Sequence, residues 1–188
     1  MKKKILAVSV LLLYGCSLKP YPALKQFGIN ENIKQQKVIT KDIKIRISSI
    51  ACPEVFRDLS IYKVRDRTVY MPFPNVSWVD SECSMFENAL KKALLKAGFD
   101  VVDYGVSRYE ILFSLERFNE NEDSKTVSVC SDFWLKDEKN DSTLLNFKVC
   151  KEKKLKKPSI YAVVNGLNEL TRSTIKDSIA KLILYFKR

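Results

Sequence analysis

The sequence predicts an α+β domain in which an antiparallel sheet carries two amphipathic helices packed on one of its faces. Several segments alternate apolar and polar side chains with a period of two residues, which is typical of strands that bury one face. Two longer segments repeat apolar residues every three or four positions, which is the pattern of an amphipathic helix. Because strands and helices are each apolar on one side, they are expected to form two layers around one core.

Alternation places strands along most of the chain. In the first strand, Ile43, Ile45 and Ile47 fall on one face, which we expect to be buried. Pro72 and Pro74 are expected to end a strand, since proline cannot donate a hydrogen bond to a sheet. The predicted strands are 42–50, 60–64, 68–71, 99–104, 109–118, 126–135 and 144–150.

Two helices are predicted from apolar residues at helical spacing. The first ends before Gly98, a residue suited to the left-handed conformation that follows many helices. It begins either at a capping box of Ser84 and Glu87 or one turn earlier, at Asp80 or Ser81. The expected buried residues are Phe86, Ala89, Leu90, Ala93, Leu94 and Ala97 in the first helix, and Leu167, Leu170, Ile175, Ile179, Leu182, Ile183 and Phe186 in the second, over 163–186.

The last two strands can be set in register from the sequence alone. A hairpin centred on Asn140 pairs residues whose numbers sum to about 280, so Cys130 lies opposite Cys150. Cysteines directly opposite each other are close enough for a cross-strand disulfide. We therefore predict the pair Cys130 and Cys150, which leaves Cys52 to pair with Cys83. Free buried thiols are the alternative.

The sheet face that points away from the helices is predicted to be only partly polar. Leu112 and Trp134 fall on it, so it could dock a partner or an acyl chain. The basic run over 151–157 is predicted to be a solvated loop before the final helix. Contact of this run with lipid or with a partner is the alternative.

The beginning of the chain predicts export and lipidation. Three lysines precede an apolar run over 5–13 that is too short to span a bilayer, and Leu-Tyr-Gly-Cys over 13–16 resembles a lipobox. In lipoproteins with this motif the cysteine, here Cys16, carries diacylglycerol and an N-acyl chain, and cleavage precedes it. Ser17, in place of aspartate, favours the outer membrane. The predicted division is a signal peptide over 1–15, a lipidated and partly ordered tether over 16–40, and a single domain over 41–188.

The composition argues against catalysis and against nucleic acid. The formal charge is +11 and there is no histidine, which removes the commonest general base and the commonest metal ligand. The sequence has no glycine-rich phosphate loop, Gly-x-Ser-x-Gly or Cys-x-x-Cys motif. A basic exported chain meets anionic headgroups rather than nucleic acid. We expect a protein that is not an enzyme and holds no metal or cofactor beyond its acyl chains.

The order of these features resembles the ABC-type transport auxiliary lipoproteins, which accompany mammalian-cell-entry-type phospholipid transporters of Gram-negative envelopes. The resemblance covers roughly residues 40–187. It rests on Ser-Trp-Val-Asp over 77–80, on a Phe-x-x-Ala-Leu face that begins at Phe86, and on Ala-x-x-Asn from Ala162. The family usually has arginine where this chain has Ser77, and the four additional cysteines are not a family requirement.

The resemblance implies a non-catalytic outer-membrane lipoprotein that acts as an auxiliary or tethering component of phospholipid transport across the periplasm. Its partners would be the transporter subunits, and phospholipid is a further candidate ligand. The candidate contacts are Trp78, Asp80, Leu112 and Trp134. Three other hypotheses stay open: an accessory lipoprotein of a secretion or motility machine, an assembly or plug lipoprotein for an outer-membrane barrel such as that of lipopolysaccharide assembly, and a periplasmic hydrolase.

Overall fold

One mixed sheet of eight strands packs against two helices in the computed structural model, which describes residues 23–29 and 43–187. A short 3-10 helix over Glu54–Phe56 follows the second strand. The strands are β1 (Lys25–Phe27), β2 (Lys44–Ala51), β3 (Ser60–Arg65), β4 (Val69–Trp78), β5 (Asp100–Val101), β6 (Tyr109–Asn121), β7 (Thr126–Asp137) and β8 (Ser142–Lys154). The helices are α1 (Glu82–Ala97) and α2 (Ile160–Phe186).

Strand β6 organises the sheet. On one side it pairs antiparallel with β7, which in turn pairs antiparallel with β8. On its other side the first half of β6 pairs parallel with β2, and its end pairs parallel with β3. β5 extends the sheet beyond β2, whereas β4 and then β1 extend it beyond β3. The α+β class is confirmed, but the prediction of an antiparallel sheet is wrong: it is mixed, because alternation within a strand carries no information about its partner's direction.

The core lies between the sheet and the two helices. Ile43, Ile45 and Ile47 are buried, as their alternation predicts. The apolar residues predicted to be buried in the two helices are buried as well, except Phe186, which is half-buried. The periodicity of the sequence therefore identifies the inward face of each of these elements correctly.

The helix ends follow local capping chemistry. α1 begins after Ser81, whose Oγ accepts a hydrogen bond from the backbone N–H of Ser84 at 3.2 Å. This is the earlier of the two predicted starts. At the other end Gly98 has a φ of 99°, as a left-handed cap requires. α2 begins at Ile160, three residues before its predicted start, because Ser159 caps it there.

The prolines of β4 do not end that strand, contrary to the prediction. β4 continues through Pro72 and Pro74 to Trp78. In this part of the strand only β3 is a neighbour, and β1 joins on the other side from Val76 onward. A proline on the unpaired side of a strand removes no hydrogen bond from the sheet, so it is tolerated there.

Two segments predicted to be irregular contain strands. The basic run begins as the end of β8, which reaches Lys154, so its first residues are not a loop. Within the predicted tether, β1 pairs with β4, and the backbone N–H of Val79 donates to the carbonyl of Phe27 at 2.8 Å. No helix in the described part of the chain has both the length and the apolar character needed to cross a membrane.

Candidate functional site

The sheet face opposite the helices carries both residues that the sequence placed there. Leu112 on β6 and Trp134 on β7 are direct cross-strand partners, and both are half-buried. Ser48 on β2 is the partner of Leu112, and Asn146 on β8 is the partner of Trp134. These four residues form one row across four strands, which we call the central row. Its middle is apolar and its two ends are polar.

An ion-pair network borders the central row on one side. Arg46 Nε contacts Glu110 Oε1 at 3.1 Å, and the same guanidinium contacts Glu138. Ser48 Oγ donates a hydrogen bond to Glu110 Oε1 at 2.8 Å. The network joins β2 to β6 and to the β7–β8 turn, so it fixes the charged side chains at this border.

A second network borders the row on its other side. Lys148 Nζ contacts Glu116 Oε1 at 2.7 Å and Asp132 Oδ2 at 3.2 Å. Hydrogen bonds from Asp132 and Lys148 hold the pKa of Glu116 below its usual range. Burial and the hydrogen bond with Glu116 raise the pKa of Asp132. Glu116 and Asp132 thus share the one ammonium group of Lys148.

The structure contains the two disulfides that the sequence predicts. Cys130 and Cys150 join β7 to β8 on the open face, with their Cα atoms 4.0 Å apart. Cys52 and Cys83 join the end of β2 to the start of α1, with their Cα atoms 6.1 Å apart. The first disulfide stiffens the sheet beside the central row, whereas the second holds the first helix against the sheet.

Trp78 and Asp80, the other candidate contacts, have different roles in the structure. The Trp78 side chain is 0% exposed and packs edge-on against Phe118, with ring centroids 5.7 Å apart. It is a core residue and has no surface to offer a partner. Asp80 is exposed, but its carboxylate accepts hydrogen bonds from Ser81 N–H at 2.7 Å and from the Ser84 hydroxyl. It therefore supports the start of α1.

Glu82 is a buried acid that the sequence analysis missed. Its side chain is 0% exposed, and Trp78 Nε1 donates to Glu82 Oε1 at 2.9 Å, while Oε2 has no hydrogen-bond partner. Burial raises the pKa of Glu82 to about 8. One signal was available: Glu82 lies four residues before Phe86, and so on the apolar stripe of α1.

Metal-ligating side chains are not clustered in the part of the chain that the structure describes. Residues 23–29 and 43–187 contain no group of three or more histidine, cysteine, aspartate or glutamate side chains that could hold a metal ion. Cys16, the predicted lipidation site, lies outside the described residues. Its modification therefore stays a prediction.

Comparison with known proteins supports the fold. No family model and no curated protein matches the sequence. The crystal structure of protein XCC0632 from Xanthomonas campestris, described under the family model DUF330, aligns with a TM-score of 0.67 at 10% identity, over 89% of this chain and 91% of that one. A second crystal structure, described only as an uncharacterized protein, aligns with a TM-score of 0.65 at 10% identity, over 85% and 99%. At such low identity the similarity shows the fold alone.

Proposed function

We propose that this chain is a non-catalytic lipoprotein, anchored through Cys16 in the outer membrane with its domain in the periplasm. In this proposal it is an auxiliary component of a mammalian-cell-entry-type ABC phospholipid transporter, and ATP hydrolysis belongs to other subunits. The observation that carries the proposal is the open sheet face, where Leu112 and Trp134 lie between two ion-pair networks.

The open face has the composition of a protein-docking surface. Protein interfaces commonly have an aromatic residue near the centre and a polar rim around it, and tryptophan is among the residues that contribute most to binding. The central row supplies the indole of Trp134, and the flanking networks supply charges of both signs. Fixed rim charges orient a partner and exclude partners with the wrong charge pattern.

An acyl chain fits the open face less well than a protein does. Binding an acyl chain requires a continuous apolar groove, whereas the centre of the row has only two apolar side chains. A cleft of about 260 Å³ with more apolar lining lies elsewhere, between β8 and the end of α2, beside Phe147 and Leu184. We therefore assign the central row to a transporter subunit and not to an acyl chain.

The position of β1 favours a domain held close to the membrane. β1 begins at Lys25, nine residues after Cys16, so the connecting segment can span at most about 30 Å. The β1–β4 edge of the sheet would then stay near the headgroups. Such a distance suits a subunit that joins a transport conduit to the outer membrane.

Photo-cross-linking from the open face tests the proposal. Benzoylphenylalanine replaces Trp134 in the native host, and the products are purified through a C-terminal tag and identified by mass spectrometry. The control carries the same group at Leu184, which is 64% exposed on α2. Recovery of a permease, an ATPase or a mammalian-cell-entry protein from position 134 but not 184 is the expected result.

Other products would replace the proposal with one of its alternatives. An outer-membrane barrel as the sole product would favour the assembly or plug function. A secretion or motility component would favour the accessory function.

A further inference from the structure

A second site lies beyond the central row, where the β3–β4 hairpin meets the far end of the open face. There a cleft of about 300 Å³ is lined by residues of β6, β7, β8 and the hairpin turn. Its lining includes Arg67 and Tyr70 from the hairpin, and Arg117 from β6. A volume of this size is at the lower end of the range for small-molecule sites. Most of the side chains that line the cleft are polar.

Neither arginine of the cleft makes a direct ion pair with a described carboxylate, although the charge of Arg117 helps to lower the pKa of Glu116. Among the side chains that the structure describes, no acidic group lies within ion-pair distance of Arg67 or Arg117. By contrast, Arg46, Arg65 and Arg108 each contact a carboxylate. The guanidinium groups of the cleft can therefore bind an anion without first breaking an ion pair.

Local backbone irregularities place both arginines at the cleft. A bulge in β6 between Leu115 and Arg117 brings Arg117 opposite Cys130, and so onto the open face, although Leu115 points into the core. In the hairpin turn, Asp66 and Arg67 have φ values of 50° and 63°. This is a left-handed backbone conformation, which residues other than glycine adopt at a cost. Bulges are frequent beside functional sites.

Neutral and acidic groups complete the lining of the cleft. Asn119 and Ser128 are cross-strand partners and are 6% and 5% exposed. Glu152 on β8 is the next partner along the same row. With two arginines and one glutamate, the lining carries an excess of one positive charge, which matches the single negative charge of a phosphodiester. The Glu152 carboxylate can accept a hydrogen bond from a hydroxyl or amine group of the same ligand.

We propose that this cleft binds a phosphodiester that carries a hydroxyl or amine substituent. This chemistry is shared by a phospholipid headgroup and by a soluble glycerophosphodiester. The site follows from its own geometry, whereas its assignment to lipid rests on the proposed function. Arg67 and Arg117 hold the phosphate, Asn119 and Ser128 donate hydrogen bonds to it, and Glu152 receives the polar substituent. The acyl chains of a lipid would remain outside the cleft, which has room for the headgroup only.

Calorimetric titration of the full lipidated chain in maltoside micelles tests the site with two probes. One is glycerophosphoethanolamine, and the other is dihexanoyl phosphatidylethanolamine. Arg117→Gln and Arg67→Gln are each expected to weaken the binding of both probes by about tenfold or more, because each removes a charge-assisted hydrogen bond. The control variant, Arg172→Gln, makes the same charge change on α2, which packs on the other face of the sheet. It should bind both probes as tightly as the unmodified protein does.

Each outcome decides a separate point. If neither probe binds, or if both cleft variants bind as tightly as the control, the site is refuted. If the lipid binds more than about tenfold tighter than the soluble diester, the natural ligand is a lipid. Equal affinities support the site with a soluble diester as ligand. Because this assay contains no transporter subunit, its failure is independent of the cross-linking result from Trp134.

Discussion

Trp78 and Trp134 occupy opposite environments in one small domain. The Trp78 indole is fully buried and donates a hydrogen bond to Glu82, whereas the Trp134 indole is half-buried on the open face. Removing a buried indole leaves a cavity in the core, but removing a surface indole leaves no cavity. Stability and partner binding should therefore respond to different tryptophans.

We expect Trp78→Ala to lower the free energy of unfolding by about 3–5 kcal/mol, as deletion of a large core side chain does. Trp134→Ala should lower it by about 1 kcal/mol or less and should abolish recovery of the partner. Urea unfolding followed by circular dichroism measures the first effect, and co-purification from the native host measures the second. A Trp134→Ala protein that folds and still recovers its partner would show that the open face is not the docking site.

The buried carboxyl of Glu82 makes stability depend on pH. Its pKa is about 8 in the folded protein, compared with 4.5 for an ordinary glutamate. Between these values the folded state keeps a proton that the unfolded chain releases. The free energy of unfolding should therefore fall as pH rises from about 4.5 to 8, and this contribution should level off at higher pH. Glu82→Gln removes this dependence on pH. Above pH 8 the free energy of unfolding of the variant should therefore be a few kcal/mol higher than that of the unmodified protein.

Urea titrations at several pH values measure this difference. The control is Glu87→Gln, also on α1, where the carboxylate is partly exposed and contacts Lys91 at 2.9 Å. It should keep the pH dependence of the unmodified protein. If the free energy of unfolding changes with pH to the same extent in Glu82→Gln and Glu87→Gln, Glu82 does not hold its proton in the folded state.

The candidate site could be predicted from sequence only in part. The alternation of β6 and β7 placed Leu112 and Trp134 on the open face, because side-chain direction in a strand is fixed by a period of two. The burial of Trp78 could not be deduced, since it depends on its contact with the distant Phe118. The position of Arg117 on the open face depends on a bulge, for which the sequence gives no signal.

Each disulfide joins two elements of the fold, and its two cysteines differ in their exposure to solvent. Cys130→Ser should free Cys150, which is exposed and open to alkylation in the folded protein. Cys52→Ser should free Cys83, which is 6% exposed and should react only after unfolding. With sequence separations of 20 and 31 residues, each loss should cost about 3–4 kcal/mol.

Mass spectrometry after alkylation, with and without urea, distinguishes the two disulfide variants. The unmodified protein, unfolded without reductant, should show no reactive thiol at any of these four cysteines. Reaction at all four would support the alternative of free buried thiols.

Helix α2 lies very close to the sheet at Gly166. A Cβ added there would be 2.7 Å from Cγ2 of Val127, a buried β-branched side chain that can move little. We expect Gly166→Ala to destabilise the protein by about 1–3 kcal/mol, although alanine is the better helix former. The double variant with Val127→Ala should recover part of this loss in urea unfolding.

Asn165→Ala, at an exposed position of the same helix, should be neutral or stabilising. An increase in stability with Gly166→Ala alone would contradict the predicted overlap.

The sequence predicts individual helices, strands and hairpins better than it predicts the order and direction of the strands in the sheet. The β7–β8 register follows from one short turn, and the predicted pairing of Cys130 with Cys150 is that of the structure. The parallel pairings of β2 and β3 with β6 join segments far apart in the chain, so no turn specifies them. β1 was missed because three residues are too few to show a period.

At the scale of the whole molecule, β1 links the proposed anchor to the sheet. Its Phe27 ring packs edge-on against Tyr161 of α2, with centroids 5.6 Å apart, and Asn168 Nδ2 donates to the carbonyl of Gly28 at 3.3 Å. These contacts attach the start of the domain to both the sheet and the helix. If the chain is anchored as proposed, the freedom of the domain above the membrane depends on whether β1 stays bound.

Release of β1 should let the domain move away from the bilayer without unfolding it. Phe27→Asp removes the ring contact with Tyr161 and would leave β2 as the first attached strand, which raises the maximum span from about 30 Å to about 90 Å. Neutron reflectometry of the lipidated protein on a supported bilayer should then show a thicker, more diffuse protein layer.

Gln26→Asp makes a similar change at an exposed position of β1 and should keep the compact layer. Because docking at a fixed height favours encounter with the partner, cross-linking from Trp134 should weaken in Phe27→Asp only. Identical layers for the two variants would show that β1 does not set the height of the domain.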